Sequence, residues 1–248
     1  MKLPILKDFM HFNTLDSTNL MAMRLINSGL INKSMLITAD FQSKGRGQIN
    51  KDWESKKGDN LLLSIVFFHE FLLRNVFDIN IITSLSLFDL FVSYEFKDVS
   101  IKWPNDILIH DKKISGLLIE NKIRTKKSIC SIIGIGCNIN QRDFKDYSRK
   151  ATSFLIEKDL DFHVKEIQDE LISCFEKRVM EYYSKGSGDM RRLYIDKLYL
   201  KDKESEFKID QQRIVGIVRS IDSKGQLVLD VKGSKRKVAS SSEISFLF

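Results

Sequence analysis

Apolar residues recur along this chain at helical spacing in some stretches and as continuous or alternating runs in others, and the changes of pattern mark the elements. Leu15-Asp16-Ser17-Thr18-Asn19 supplies N-cap residues ahead of a helical stretch from Leu20 to Asn27, with Gly29 placed to end it. Met35 to Ala39 reads as a buried strand and Asn60 to Phe68 as a second one of continuous apolar character. Ile79 to Phe96 predicts a helix, and Val99 to Trp103 and Ile107 to Ile109 predict strands around a turn at Pro104. Ile114 to Asn121 and Ser128 to Ile139 read as a strand pair joined by the polar turn Lys122 to Lys127, and Phe162 to Tyr183 and Asp189 to Leu200 as helices. The texture then changes to short alternating strands near Glu206 to Ile209, Arg213 to Ile221, Gln226 to Val231 and Arg236 to Ala239. Ser223-Lys224-Gly225 and Lys232-Gly233-Ser234 are their hairpin turns. The expectation is an α+β fold whose tail forms a small β-barrel, too small to hold much core alone and therefore packed on the larger part.

Composition narrows the class. A chain of 248 residues fits one large domain, or one domain with a small appendix. Hydrophobic residues at 43% and charged residues at 29%, with no low-complexity tract, predict a chain that folds throughout. The N-terminus lacks the apolar core of a signal peptide, and the most apolar stretch, Val76 to Phe96, is interrupted by Asp78, Asn80 and Asp89. Nothing in the pattern reads as exported or membrane-spanning. Cys130, Cys137 and Cys174 are too few and too irregularly spaced for a disulfide framework or a zinc site, so reduced thiols in a cytoplasmic protein are expected. The scattered histidines have no cysteine or carboxylate at ligand spacing, and no built-in metal site is expected. A net charge of +7 fits a lysine-rich solvated surface, a phosphate-bearing ligand or an acidic partner, and by itself decides little.

The candidate chemistry lies in ordered segments. Gly45-Arg46-Gly47-Gln48 opens a polar loop reaching Asn60, with two glycines flanking an arginine where a backbone could wrap an anion. Lys102-Trp103-Pro104-Asn105-Asp106 sets a cation, an amide and a carboxylate around one of the two prolines. Asp16-Ser17-Thr18-Asn19, Lys113-Ile114-Ser115-Gly116 and Gly134-Ile135-Gly136-Cys137-Asn138 complete the set. In order and spacing these segments resemble the biotin protein ligase family. Its pattern runs Asp-Ser-Thr-Asn, Gly-Arg-Gly with a following Trp-x-Ser, Lys-Trp-Pro-Asn-Asp, Lys-Ile-x-Gly ending in Glu, and Gly-Ile-Gly-x-Asn. The likeness covers almost the whole chain.

The resemblance implies a catalytic domain over residues 1–198, a mixed β-sheet packed with helices as in class II aminoacyl-tRNA synthetases, and an SH3-like β-barrel over 199–248. It implies that biotin and ATP, with Mg²⁺ arriving on the nucleotide, give biotinyl-5′-AMP, and that a lysine of a biotin carboxyl carrier domain then displaces AMP. By motif position, Ser17, Thr18, Asn19 and Gln42 would recognise the ureido head, with Gly45 and Gly116 also at biotin. Arg46 and Lys102 would serve both ligands, and Gly47, Gln48, Trp53 and Asn138 the adenylate. Asp106 and Lys113 would join Arg46 and Lys102 in catalysis, Asp106 accepting the proton of the acceptor amine. Glycines at 45 and 47 would permit positive φ and let amides approach phosphoryl oxygens, in a loop that orders over the adenylate and shields it from water. Plainer readings stand beside these: capping for Ser17 and Thr18, a surface cation for Lys102, a turn carboxylate for Asp106, a strand end for Asn138, and core packing for Trp53 and Trp103.

Three departures from the family pattern bear on the site. Gln48 stands where many members carry arginine, which predicts looser retention of the adenylate unless Lys44 or Lys51 substitutes. Asn50 replaces a common glycine, and Ser241-Ser242-Glu243 lacks the glycine usual before that glutamate. Ser17 lies so near the N-terminus that a helix-turn-helix domain has no room, so a monofunctional enzyme without sequence-specific DNA binding is expected, as a monomer or homodimer. The competing functions are a lipoate-protein ligase or octanoyl transferase of the same architecture and a non-catalytic biotin-binding regulator.

Overall fold

Alternation along the central strands gives a sheet with two apolar faces, and helices cover both. A computed structural model describes residues 5–48, 52–70, 75–125, 128–144, 151–238 and 240–247. In chain order the elements are β1 (Asp8–Phe12), α1 (Thr18–Asn27), β2 (Met35–Ala39), β3 (Asn60–Glu70), α2 (Phe77–Ser93), β4 (Val99–Lys102), β5 (Asp106–Ile109), β6 (Lys112–Thr125) and β7 (Ser128–Asn138). They continue with α3 (Phe154–Lys158), α4 (Val164–Lys185), α5 (Ser187–Asp196), β8 (Glu204–Ile209), β9 (Gln212–Ile221), β10 (Leu227–Val231), β11 (Ser234–Val238) and β12 (Ile244–Phe246).

The large sheet has seven strands in the order β1-β2-β3-β7-β6-β5-β4. It is mixed, because β1 and β2 run parallel while the β2–β3, β3–β7 and β6–β7 pairs are antiparallel. Leu61, Leu63, Ile65 and Phe67 of β3 join Ile133 and Ile135 of β7 in the main core, with α2 and α4 on that face. The intervening Val66, Cys130 and Ile132 face the other way and pack with Ala22 and Ile26 of α1. Period-two alternation thus sorts one pair of strands between two cores.

The helix expected to reach Phe96 ends at Ser93. Glu95 turns left-handed at φ +56°, the Phe96 amide donates to Phe91 O at 3.0 Å, and the Glu95 amide donates to Val92 O at 2.9 Å. This is a Schellman closure, and the Phe91 and Phe96 rings meet across it at 5.5 Å. The apolar pattern continued past the helix because the C-terminal hydrophobic contact belongs to the stop signal itself. Likewise α5 stops at Asp196, four residues before the expected Leu200. β1, α3 and β12 had no predicted counterpart: β1 is a mostly exposed edge strand, and α3 and β12 span only five and three residues. β6 runs on to Thr125, through most of the expected turn, while Lys126, Lys127 and the predicted strand end Ala239 lie outside the described residues.

The tail differs from expectation in closure. β8 to β12 form an antiparallel sheet in the order β11-β10-β9-β8-β12, and no pairing joins its β11 and β12 edges among the described residues. The sheet is open. Its inward side chains, Phe207, Ile209, Val218, Leu227, Leu229 and Phe246, belong to the same core cluster as α2 and the large sheet. Tyr199, just ahead of the sheet, meets the Phe246 ring at 6.2 Å between centroids. Among the described residues no helix is long and apolar enough to cross a membrane.

Candidate functional site

On the α1 face, small residues replace the core as the strands approach their ends. Ser64 pairs with Gly134, Leu118 also pairs with Gly134, and Gly116 pairs with Gly136. Where Val66, Cys130 and Ile132 would otherwise be continued by large side chains, this row leaves a hollow between the sheet, the start of α1 and the loop after Gly45.

The rim of the hollow at α1 is a closed set of hydrogen bonds. The Thr18 amide and hydroxyl both donate to Gln42 Oε1, at 2.7 and 3.0 Å. Because a backbone N–H can only donate, this fixes which way the Gln42 amide points. Ser64 Oγ lies 2.7 Å from Thr18 Oγ1 and 2.6 Å from Asn19 Oδ1. Asn19 Nδ2 donates to Leu118 O at 3.1 Å and to Glu120 Oε2 at 2.8 Å. Ser17 is the N-cap residue as expected, yet its side chain makes no capping hydrogen bond. The first helical amide, that of Thr18, is satisfied by Gln42 instead. Ahead of it Asp16 Oδ1 accepts from the Ser17 amide at 2.8 Å, while Arg24 grips the same carboxylate with both terminal nitrogens at 2.7 and 2.8 Å. The Arg24 guanidinium holds the Asp16 carboxyl well below the usual carboxylate range.

The loop after Gly45 folds back as a flap. Arg46 bridges to Asp52, and the Trp53 amide donates to Gly45 O at 2.9 Å. The positive φ expected at Gly45 is absent; a Cβ there would fall 2.3 Å from Trp53 O, so close approach of the returning strand is what excludes a side chain. The Trp53 indole covers the glycine row, since a Cβ on Gly136 would lie 2.3 Å from its Cε2 and one on Gly116 3.0 Å from its Cζ3. Its Nε1 is buried with no hydrogen-bond partner among the described residues. Arg46 Nη1 stands 3.5 Å from Glu120 Oε1. Lys113 Nζ lies 2.6 Å from Asp106 Oδ1 and 5.4 Å from the centroid of the Trp53 ring. With the indole in place the hollow has a volume of about 50 Å³ and is lined by Ser17, Thr18, Asn19, Gln42, Lys113 and Gly116 among others.

Beyond Arg46, Gly47 and Gln48 opens a larger cleft of about 680 Å³. It is also lined by Trp103-Pro104, joined by a cis peptide, and by Lys224, Gln226 and Ser241 from the C-terminal part of the chain. Trp103 Nε1 donates to Gly225 O at 2.9 Å, and Ser241 Oγ donates to Gln48 Oε1 at 3.0 Å. The two departures at Gln48 and Ser241 therefore touch each other, while Asn50 and Lys51 lie outside the described residues.

Four expected site residues stand back from both cavities, and the first is Gly45, packed against the Trp53 backbone. Lys102 carries its ammonium 5.1 Å from the Phe246 ring centroid. Asp106 is reached only through Lys113. Asn138 is buried, and its Nδ2 donates to Thr152 O at 2.9 Å. Residues not singled out beforehand take up the work. Ser64 lay hidden in an apolar run, and its register against Gly134 could not be read from one strand. Glu120 ends the Lys-Ile-x-Gly motif and had a signal in that position. Asn105 pins β6, donating from Nδ2 to Leu117 O at 2.6 Å and accepting from the Leu117 amide at 2.9 Å. Cys137 faces the main core, where burial pushes its thiol up and leaves it inert.

A sheet face with a glycine floor, a polar helix start and an arginine-bearing loop over it form a covered pocket for a small ligand. Residues 11–138, from β1 to the end of β7, match the model of the family described as biotin/lipoate A/B protein ligase. The chain belongs to that family. It is 26% identical over 232 residues to the bifunctional ligase/repressor BirA of Bacillus spizizenii, which covers 92% of this chain and 71% of that protein. It is 24% identical over 238 residues to the biotin–[acetyl-CoA-carboxylase] ligase of Mycobacterium tuberculosis, covering 93% and 86%. The solved structure of the biotin protein ligase from Aquifex aeolicus in complex with biotin and ATP has a similar fold, with a TM-score of 0.78 at 24% identity over 97% of this chain and 98% of that one.

Proposed function

We propose that this ligase attaches biotin to a lysine of a biotin carboxyl carrier domain by way of biotinyl-5′-AMP. The observation that carries the reading is the set of amide and hydroxyl groups that Ser17, Thr18, Asn19 and Gln42 bring to the hollow. Gln42 spends its oxygen on Thr18, which leaves its Nε2 to donate to a ureido carbonyl, and the hydroxyls of Ser17 and Thr18 and the carbonyl of Asn19 can meet the remaining ureido groups. The fused rings then lie on the Gly116 and Gly136 floor under Trp53. A hollow of about 50 Å³ is too small for biotin while the indole covers it, so entry requires Trp53 to swing outward. No hydrogen bond of Nε1 resists that movement.

The biotin carboxylate would end near Lys113 and Arg46, where the hollow meets the larger cleft. Its oxygen attacks the α-phosphorus of ATP, the bond to the bridging oxygen breaks, and pyrophosphate leaves with the electron pair. Two anions must be brought together for this, so convergent cations are the main requirement. Arg46 is the guanidinium at the junction. The Asp106 carboxylate holds the Lys113 ammonium at the hollow, and in the second step it can accept the proton of the acceptor amine. Lys102 would reach the phosphate by leaving the Phe246 ring, a movement its flexible four-carbon stem permits. We assign Asn138 the structural task of closing β7 onto Thr152. Among the described residues no group of three or more His, Cys, Asp and Glu could hold a metal by itself, so the ligands of Mg²⁺ would come from the phosphates and water, with Asp52 the carboxylate lining the cleft. The ion would neutralise phosphate charge.

Pyrophosphate release with Mg-ATP and either biotin or lipoate, followed by mass spectrometry of the bound product, tests the reading. Release with biotin and a biotinyl-adenylate mass is expected. Release with lipoate alone would replace the substrate, and silence with both in protein that still binds biotin would make it a non-catalytic binder.

A further inference from the structure

The turn between β9 and β10 lines the large cleft and is fixed from several sides. Trp103 Nε1 donates to Gly225 O, and Arg191 donates to Asp222 O at 3.1 Å and Ser223 O at 3.3 Å. Asn75 Nδ2 donates to Ser223 O as well. Arg191 is itself anchored at 2.7 Å on the buried Asp78, which also accepts from Tyr182 Oη at 2.9 Å. From within the turn, Asp222 Oδ1 accepts from the amides of Lys224 and Gln226 at 2.9 and 3.0 Å. Gly225 has φ +86°, and a Cβ there would fall 2.2 Å from Cγ of Phe77, so the backbone rests directly on that ring.

A turn held this firmly fixes where the Lys224 side chain leaves the backbone. Lys224 is exposed there, lines the same cleft as Arg46 and Gln48, and makes no ion pair among the described residues. The cleft has need of a cation. Gln48 is neutral and its Oε1 is occupied by Ser241, Lys102 is turned to Phe246, and Asp52 adds a negative charge to the lining.

We propose that Lys224 binds the polyphosphate of the nucleotide and holds the pyrophosphate as it leaves. The inference rests on the adenylation reading above and adds a nucleotide ligand from the C-terminal sheet. Lys224 transfers no proton. It contributes a fixed positive charge on the leaving-group side of the α-phosphorus, where Gln48 supplies none.

The test compares Lys224→Ala and Lys224→Arg with a control, Lys232→Ala, in the neighbouring hairpin turn. For Lys224→Ala the ATP KM in biotin-dependent pyrophosphate release should rise about tenfold or more, as for loss of one charge-assisted contact, with biotin affinity in the absence of ATP unchanged. Lys224→Arg should stay near the parent, and Lys232→Ala should match it. An unchanged ATP KM in Lys224→Ala, or an equal rise in Lys232→Ala, overturns the inference and leaves the ligase reading standing. If the parent protein releases no pyrophosphate with biotin, the ligase reading fails, and calorimetric titration with Mg-ATP decides for Lys224. Binding about tenfold weaker in Lys224→Ala supports it, and equal binding overturns it.

Discussion

Asn19 is the residue on which the polar rim turns, because one side chain engages Leu118 O, Glu120 and Ser64. Asn19→Ala removes these contacts, leaving Ser64 its bond to Thr18 and Glu120 its contact with Arg46, at a cost of about 1–3 kcal/mol in stability. Urea denaturation should show that loss together with weakened biotin binding; binding at parental affinity would remove Asn19 from the site. Gly136→Ala is a sharper probe, since the new methyl would meet the Trp53 indole at 2.3 Å. The fold should survive by displacing the flap, while biotin affinity should fall about tenfold or more, the size expected from overpacking by 1–3 kcal/mol. The motif residues around this site were legible in the sequence. Ser64 was not, because a serine inside Leu61 to Phe68 looks like any strand serine until its partner Gly134 is known.

At the scale of elements, the start of α1 is held by Asp16 and Arg24. The folded-state pKa of Asp16 is depressed, so its contribution to stability is present above the unfolded value of about 3.9 and is lost as the pH falls through the folded one. Arg24→Met should destabilise the protein at neutral pH, and its difference from the parent should shrink as the pH drops below about 3.9. A gap that stays constant down to the lowest pH at which both proteins fold would show that Arg24 acts by packing alone. The turn after β9 has a similar device. Burial raises the Asp222 carboxyl, but the Lys237 ammonium and the amides of Gln226 and Lys224 overcome it and keep it lowered. Long elements were well anticipated by periodicity, since β2 and the starts of β3 and β7 fall where the apolar runs place them. The stop of α2 at Ser93 depended on a left-handed Glu95, a conformation that glutamate does not advertise.

For the whole molecule, one core cluster runs from the large sheet through α2 and α4 into the C-terminal sheet. We therefore expect a single cooperative unfolding transition, with far- and near-ultraviolet circular dichroism coinciding in urea. Two separated transitions would make 199–248 a unit that unfolds independently of the larger part. The buried Asp78 ties α2 to Arg191 on α5 and, through it, to the turn bearing Lys224. Asp78→Asn removes one partner of a buried ion pair, which costs about 3–5 kcal/mol. The same variant should raise the ATP KM by loosening that turn; a loss of stability with the ATP KM unchanged would uncouple the turn from nucleotide binding.

The sequence by itself determined the α+β class, the order of the principal strands and helices, and the segments that meet at the site, because these follow from local periodicity and from motifs a few residues long. Tertiary structure alone decided which motif residues reach the cavities. The strand register that lines up Gly116, Gly134 and Gly136, the indole laid across them, and the placement of Lys224 in one cleft with Arg46 each depend on contacts between segments far apart in the chain. Lys102 and Asn138 carry family motifs, yet packing against Phe246 and Thr152 sets where their side chains stand. The open C-terminal sheet has the same origin: alternation specifies an apolar face, and only the assembled fold specifies what covers it.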